Sequence, residues 1–378
     1  MSGARDTTYL IVTGASGALG TAFVQRALET WPQVRIACLL RSDAAGDQLR
    51  QQAGAHADRL IILKADLTDA ASMQAAADEF GSVGDAVGIH AAADVSWDKT
   101  ADDVRGLNVD GALLFQEFMR ATAARPRLIY LSTAYTRMYD WDYRNGYEET
   151  KAEAERTLRA HTGDMPFSAF ACSLVVGDSR TGRIARYNGI YPVLRFLAEF
   201  TPPFLVGRKT GQLDLVPLDW VTDGLIELAG TQLRGEDARD VVASAGPGSR
   251  IGFEQMVRLC EDRINHFRAM HDMAVIAPTP ILRSRQWAFL QRSLKAWEPP
   301  DIKVGDFRYF ERLLKVYGIY SESDLVRDPE NVARPAPAPE TYMATVIDRW
   351  IDDHAERLIS RKHRAGGMLE KRHERTSV

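Results

Sequence analysis

The chain of 378 residues has only three cysteines, Cys38, Cys172 and Cys260, and no two stand at metal-ligand spacing. That excludes a zinc ribbon and a disulfide-stapled fold; Cys38 and Cys172 fall in apolar stretches and read as small buried hydrophobes. The eight histidines make no close pair of zinc type. No apolar run reaches the roughly 18 residues needed to span a bilayer, and the opening MSGARDTT lacks the apolar centre of a signal peptide. A formal net charge of −4 gives no electrostatic case for nucleic acid. The expectation is a cytoplasmic globular protein, long enough for one large domain or a domain with a cap.

What the chain does have begins at residue 9. Tyr9–Thr13 (YLIVT) reads as a short buried strand, followed by Gly14, Ala15, Ser16, Gly17, Ala18, Leu19 and Gly20, then an apolar-periodic helix from Thr21 to about Glu29. Strand, tight glycine turn and helix form the context a dinucleotide fingerprint requires. The glycines let the backbone approach a pyrophosphate lying at the positive end of the following helix.

The next strand, Val34–Leu40, ends in Arg41 and Ser42. A carboxylate there would grip the ribose 2′-hydroxyl of NAD, whereas an arginine accommodates the 2′-phosphate of NADP. Arg41 therefore points to NADPH, although a solvated strand-end charge is the alternative and Asp43 could serve NAD. Leu60–Lys64 reads as a third strand running into Asp66 and Leu67, a candidate edge for the adenine ring. A fourth, Ala86–His90, leads to Ala91, Ala92 and Ala93, small enough for the backbone to approach the cofactor. His90 itself reads as a satisfied loop residue. A helix over about Ala101–Ala123 carries Asn108, and Arg127–Leu131 is the fifth strand, ending at Ser132, Thr133, Ala134 and Tyr135.

Tyr147 and Lys151 form the one Tyr-x-x-x-Lys of the chain. Chance supplies about 0.3 such pairs at this composition, so placement rather than spacing carries the signal. On a helix the two share a face. The ammonium is expected to lower the phenol's pKa, making a proton donor for a carbonyl oxygen that gains charge as hydride arrives. A surface tyrosine beside a solvated lysine is the plain alternative.

Together, TGASGALG, HAAADVSW, NVDG, LIYLSTAY, NGYEETKAEAE and VVGDSRTG stand in the order seen in extended short-chain dehydrogenases/reductases. Over residues 8–228 the chain most resembles the branch of fatty acyl-CoA reductases and thioester reductase domains. The resemblance implies an α/β fold: a doubly wound parallel Rossmann sheet with a smaller, mostly helical cap. It implies a catalytic set of Thr133, Tyr147 and Lys151, with Lys151 on the nicotinamide ribose and Ser173, Val175 and Val176 bordering the ring. Ser96, Ala134, Asp178 and Arg180 would line the substrate side. The implied activity is NADPH-dependent reduction of an acyl-CoA or carrier-protein thioester to an aldehyde, which a second hydride could take to the alcohol. One departure is Ala171-Cys172 where the family usually has Arg-Pro; another is a short segment between Thr133 and Tyr147. A ketone or hydroxysteroid-type dehydrogenase, a nucleotide-sugar epimerase or dehydratase, and a non-catalytic NADP-binding scaffold are the competing readings.

The expected organisation is a nucleotide domain over 8–178 with a returning segment at about 213–245, and a cap from 179–212 and 246–358. Phe167–Val176 reads as strand six, Tyr187–Phe200 as a cap helix, and Leu213–Val216 with the helix Val221–Ala229 as the return to the main sheet. Further helices are expected at Phe253–His271, Ile281–Trp297, Phe307–Tyr317 and about 340–358. In the second of these, Leu282, Trp287, Phe289, Leu290, Leu294 and Trp297 share an arc opposite Arg285, Arg292 and Lys295, with Arg283 intruding on the apolar side. That arc reads as a packed cap face, with carrier-protein docking or a membrane interface as alternatives. ARPAPAPE reads as an extended spacer, and residues 359–378 as a disordered basic tail.

Overall fold

The structure is a computed structural model and describes residues 8–138, 143–200, 202–236, 239–294 and 334–360. The helix expected at Phe307–Tyr317 and nearly all of the basic tail lie outside the described residues. The chain divides into two compact units. One takes the chain up to Val175, Leu218–Pro247 and a late stretch ending at Ala336. The other takes Val176–Pro217, the stretch beginning at Gly248, and the chain from Pro337.

In the first unit the strands are β1 (Tyr9–Thr13), β2 (Arg35–Leu40), β3 (Leu60–Lys64), β4 (Val83–His90), β5 (Ala123–Thr133), β6 (Phe167–Cys172) and β7 (Val241–Ala243). They form one seven-stranded sheet in the order β7-β6-β5-β4-β1-β2-β3, with parallel pairing throughout. This is the doubly wound order, with the switch point between β1 and β4. The central strands are nearly continuous apolar runs because both faces are covered. Gly88 of β4 is part of that fit: a Cβ there would stand 2.8 Å from Met119 Sδ.

The helices start where local chemistry places them. Ser42 caps α2 (Asp43–Ala53) and Asp69 caps α3 (Ala70–Phe80), each side chain accepting from a first-turn amide. Thr100 and Asp103 form a reciprocal capping box on α4 (Ala101–Arg105). The helix expected over Ala101–Ala123 is not uniform: a π turn at Gly106–Asp110 separates α4 from α5 (Gly111–Thr122), and Ala123 already belongs to β5. With α1 (Ala18–Thr30), α6 (Gly146–Ala160) and α7 (Leu218–Leu233), these cover the sheet.

Two strand assignments change. The run expected as strand six breaks at Ser173, whose amide pairs with Ala243 of β7. The strand that rejoins the sheet is β7, not Leu213–Val216: Leu215–Pro217 lies outside the seven-stranded sheet. The proline-rich stretch is also more than a spacer. Arg334 donates to the Trp220 carbonyl at 3.0 Å, and the Trp220 indole donates to the Pro335 carbonyl at 3.2 Å, fixing it against α7.

The second unit packs the helix Phe253–Met270 against Met343–Asp353, with a paired contact from Arg263 to Asp348 at 2.6 Å. Tyr191, Tyr342 and Trp350 are its large buried side chains. The cap helix begins at Tyr191 rather than Tyr187. In Ser284–Leu294 the expected apolar arc splits: Trp287 is buried, but Phe289 is 70% exposed. Two positions apart, they stand about 200° around the helix axis, too far to share one buried stripe.

Candidate active site

The C-terminal edges of β1, β4, β5 and β6 run side by side, with Thr13 opposite His90, His90 opposite Tyr130, and Thr133 opposite Cys172. Ligands of open parallel sheets sit at this edge.

At β1 the chain turns through Gly14, whose φ of +69° suits glycine. A Cβ on Gly14 would stand 2.6 Å from the Ala91 carbonyl carbon, and one on Gly20 would stand 2.2 Å from the Gly14 carbonyl oxygen. Gly17 begins α1 with no side-chain cap, no acidic residue occupies the first turn, and the amides of Ala18, Leu19 and Gly20 have no carbonyl one turn earlier to pair with. Such a cradle, open to backbone approach and positive at the helix end, fits a pyrophosphate. Ser16 is exposed at the tip of the turn. The Thr13 backbone carbonyl accepts from the Ala91 amide and its hydroxyl from the Ala92 amide, so the alanine loop is tied to β1.

Beyond β2, Arg41 is exposed, and its charge joins two hydrogen bonds from Thr68 in holding the Asp66 carboxyl below the usual range. Asp43, the NAD-type alternative, pairs instead with Lys64 at 3.5 Å. Leu67 is buried beside Asp66.

The opposite corner consists of buried and half-buried side chains. Asn145 caps α6 through the Glu148 amide, and Arg144 grips the buried Glu148 carboxylate through paired contacts. These set the first turn, from which Tyr147 and Lys151 follow. Tyr147 is partly exposed, while Lys151 is only 3% exposed. Both feel the Cys172 thiol, which stands opposite the buried Thr133 in the β5–β6 register. Thr133, Tyr147 and Lys151 thus gather around the end of β6. Cys172 is half-buried as a residue, but its thiol is shielded from water and pushed up to about 11 by that desolvation, with Lys151 opposing.

The expected acidification of the phenol is not found. Burial, reinforced by Cys172 and Glu148, holds the Tyr147 hydroxyl above the ordinary phenol range. Lys151 is itself pushed down to about 7, chiefly by burial, and its ammonium lies 4.0 Å over the ring of Tyr130. The raised phenol keeps its proton at neutral pH but gives it up less readily than the acidified donor that was expected.

His90 was expected to be satisfied and is so on one side only. Nδ1 meets the Thr13 hydroxyl at 2.9 Å, whereas Nε2 is buried without a partner. Burial, then Lys151, pushes its pKa down to about 3, so it stays neutral.

Sequence reasoning named Asn108 without giving it a task. On the π turn, its carbonyl accepts from the Asp94 amide at 2.7 Å, and its amide donates to the Asp94 carbonyl at 3.1 Å and to Thr150 Oγ1 at 3.0 Å. It clamps the alanine loop to α6 between Tyr147 and Lys151. The polar residue inside the apolar-periodic NVDG stretch was the available signal. Ser96 donates its amide to Asp94, Ala134 is buried after Thr133, and Ser173 is buried with an unpartnered hydroxyl. Val175 is half-buried and Val176 buried. In the second unit, the Asp178 carboxylate accepts from Arg180 and Thr181 of its own loop, and Arg180 is exposed.

Among the described residues no group of side chains is arranged to hold a metal ion, and no helix is long and apolar enough to cross a membrane. A family profile described as male sterility protein matches residues 12–225. Among solved structures, the terminal R domain from the myxalamid PKS-NRPS biosynthetic pathway is 17% identical with a TM-score of 0.66, over 94% of this chain and 92% of that one. The reductase (R) domain of a nonribosomal peptide synthetase from Mycobacterium tuberculosis is 16% identical, TM-score 0.59, over 94% and 92%. UDP-glucose 4-epimerase from Bifidobacterium longum, in complex with NAD+ and UDP, is 14% identical, TM-score 0.61, over 92% and 99%. At these identities the likeness is one of fold, shared by reductase and epimerase alike. No curated protein matches the chain. The profile covers more than half of the residues and includes the glycine cradle, Thr133, Tyr147 and Lys151; the chain belongs to the male sterility protein family, NAD(P)-dependent oxidoreductases of the extended short-chain dehydrogenase/reductase type.

Proposed function

We propose that this protein is an NADPH-dependent reductase of acyl thioesters carried on coenzyme A or a carrier protein. The observation that carries the reading is the convergence of Thr133, Tyr147 and Lys151 at the end of β6, across the sheet edge from a glycine cradle. The R-domain likenesses support the thioester class, one of them a thiolation-reductase di-domain from an archaeal non-ribosomal peptide synthetase, 17% identical with a TM-score of 0.62 over 93% of this chain and 76% of that one.

Gly14, Gly17, Gly20 and the first turn of α1 would hold the pyrophosphate, Arg41 the 2′-phosphate, Asp66 and Leu67 the adenine edge, and Lys151 the nicotinamide ribose. NADPH, when bound, supplies the hydride. The Thr133 and Tyr147 hydroxyls donate to the thioester oxygen as it gains charge, and Tyr147 gives up its proton to it. Donors of this kind are worth on the order of 10²–10³ in rate. Collapse of the resulting hemithioacetal breaks the carbon–sulfur bond and leaves free thiol and aldehyde.

Tyr147→Phe should abolish NADPH consumption with an acyl-CoA substrate while NADPH still binds. Full turnover by this variant would refute the assigned proton donor. Turnover of UDP-sugars with NAD, and none of thioesters, would move the assignment to the epimerase class.

A further inference from the structure

We propose that Tyr130 is the positioning residue for Lys151, its ring seating the ammonium and its hydroxyl fixing the lysine's own backbone. The inference rests on the reading of Lys151 as the working cation of the site. Nζ lies 4.0 Å from the ring centroid, and the Tyr130 hydroxyl donates to the Lys151 carbonyl at 3.4 Å. One side chain therefore holds the lysine at both ends.

The ring is the ammonium's chief partner within the protein. Lys151 is almost wholly removed from water, and among the described residues no carboxylate lies within ion-pair distance of it. The groups that face it are His90 from β4, Tyr130 from β5, Glu155 from α6, and Cys172 from β6. Of these, Glu155 is bound to Arg137 and Arg159. Neutral His90 adds no second cation. A desolvated cation close to an aromatic face is the setting in which that attraction counts most.

The seat is itself immobilised. Tyr130 is fully buried and stacks on His90 with centroids 5.8 Å apart, and His90 stacks on Phe115 of α5 at 5.3 Å. The His90–Thr13 contact anchors this pile to β1, at the root of the glycine turn. An aromatic column thus ties the nucleotide cradle to the lysine.

The test is a titration of Lys151 in the full chain without cofactor, using ¹³Cε-labelled lysine. The sequence has nine lysines, and Lys151→Arg identifies the resonance. Tyr130→Leu should lower the lysine's titration midpoint by about one pH unit and weaken NADPH binding about tenfold, whereas Tyr130→Phe, which keeps the ring and loses only the hydroxyl's hold on the backbone, should recover most of both. Equal loss in Leu and Phe variants, or no loss in Leu, would overturn the seat. If Tyr130→Leu fails to fold, trifluorophenylalanine at position 130 keeps the shape and weakens the negative face. Its midpoint should fall below that of the Phe variant, and an unchanged midpoint would refute the proposal. The titration needs no turnover, so a protein that reduced no thioester would still reveal whether the seat exists.

Discussion

The glycine cradle and the corner proposed to be catalytic lie at one edge of the same sheet, yet they are made of different material. The cradle is backbone: Gly14, Gly17 and Gly20 matter because a Cβ at any of them would meet the turn or its neighbours. The corner is side chain, its members drawn from β5, α6 and β6 and set by burial. A backbone site should fail all at once when crowded; a side-chain site should fail in degrees, each group showing in its own measurement.

The sharpest break in that comparison is Gly20→Val. Its branched side chain would collide with the Gly14 carbonyl, so NADPH affinity, read by fluorescence titration, should fall more than a hundredfold on the order expected for loss of a pyrophosphate site. Asn108→Ala removes three hydrogen bonds from the clamp between loop and helix and should cost about 2–4 kcal/mol in urea unfolding. It should also lower turnover more than it lowers NADPH affinity, since the clamp bonds α6 directly at Thr150 but has no hydrogen bond to the glycines.

Lys151 gives a pH signature. The unfolded chain keeps the lysine proton up to about 10.5, whereas the cofactor-free folded protein releases it near 7. Between those values the unfolded state binds more protons, so this group's contribution makes stability rise with pH and fall again toward pH 7. Unfolding free energies at pH 7 and pH 9 should differ less in Lys151→Met than in wild type; an identical difference would refute the buried titration. The smallest effect is expected at exposed Arg41: Arg41→Ala should raise the KM for NADPH about tenfold and leave that for NADH nearly unchanged.

The same contrast explains what could be read from the residues. The cradle was legible because its constraint is local: strand, glycines and helix are consecutive, and β1 and α1 form where the apolar pattern put them. The doubly wound parallel sheet was implied by the resemblance that those motifs carry. Tyr147 and Lys151 were legible as a pair because helix periodicity is also local. Their protonation was not, because it depends on Cys172 and Glu148 and on how deeply the helix is buried. Neither the π turn under Asn108 nor the stack behind Tyr130 has a short-range signature; both arise where distant segments meet. The return of the chain to the sheet was misplaced for the same reason: Leu213–Val216 has a strand's composition, but pairing with β6 was taken by Val241–Ala243.

One such distant meeting bears on how the molecule is made. Arg334 and Pro335 exchange hydrogen bonds with Trp220 of α7, so the first unit draws a part from very late in the chain. During translation the ribosome must move past residue 336 before that unit holds all its pieces. Until then the Trp220 indole lacks its Pro335 acceptor and the Trp220 carbonyl its Arg334 donor, and any fragment cut short before them keeps both gaps.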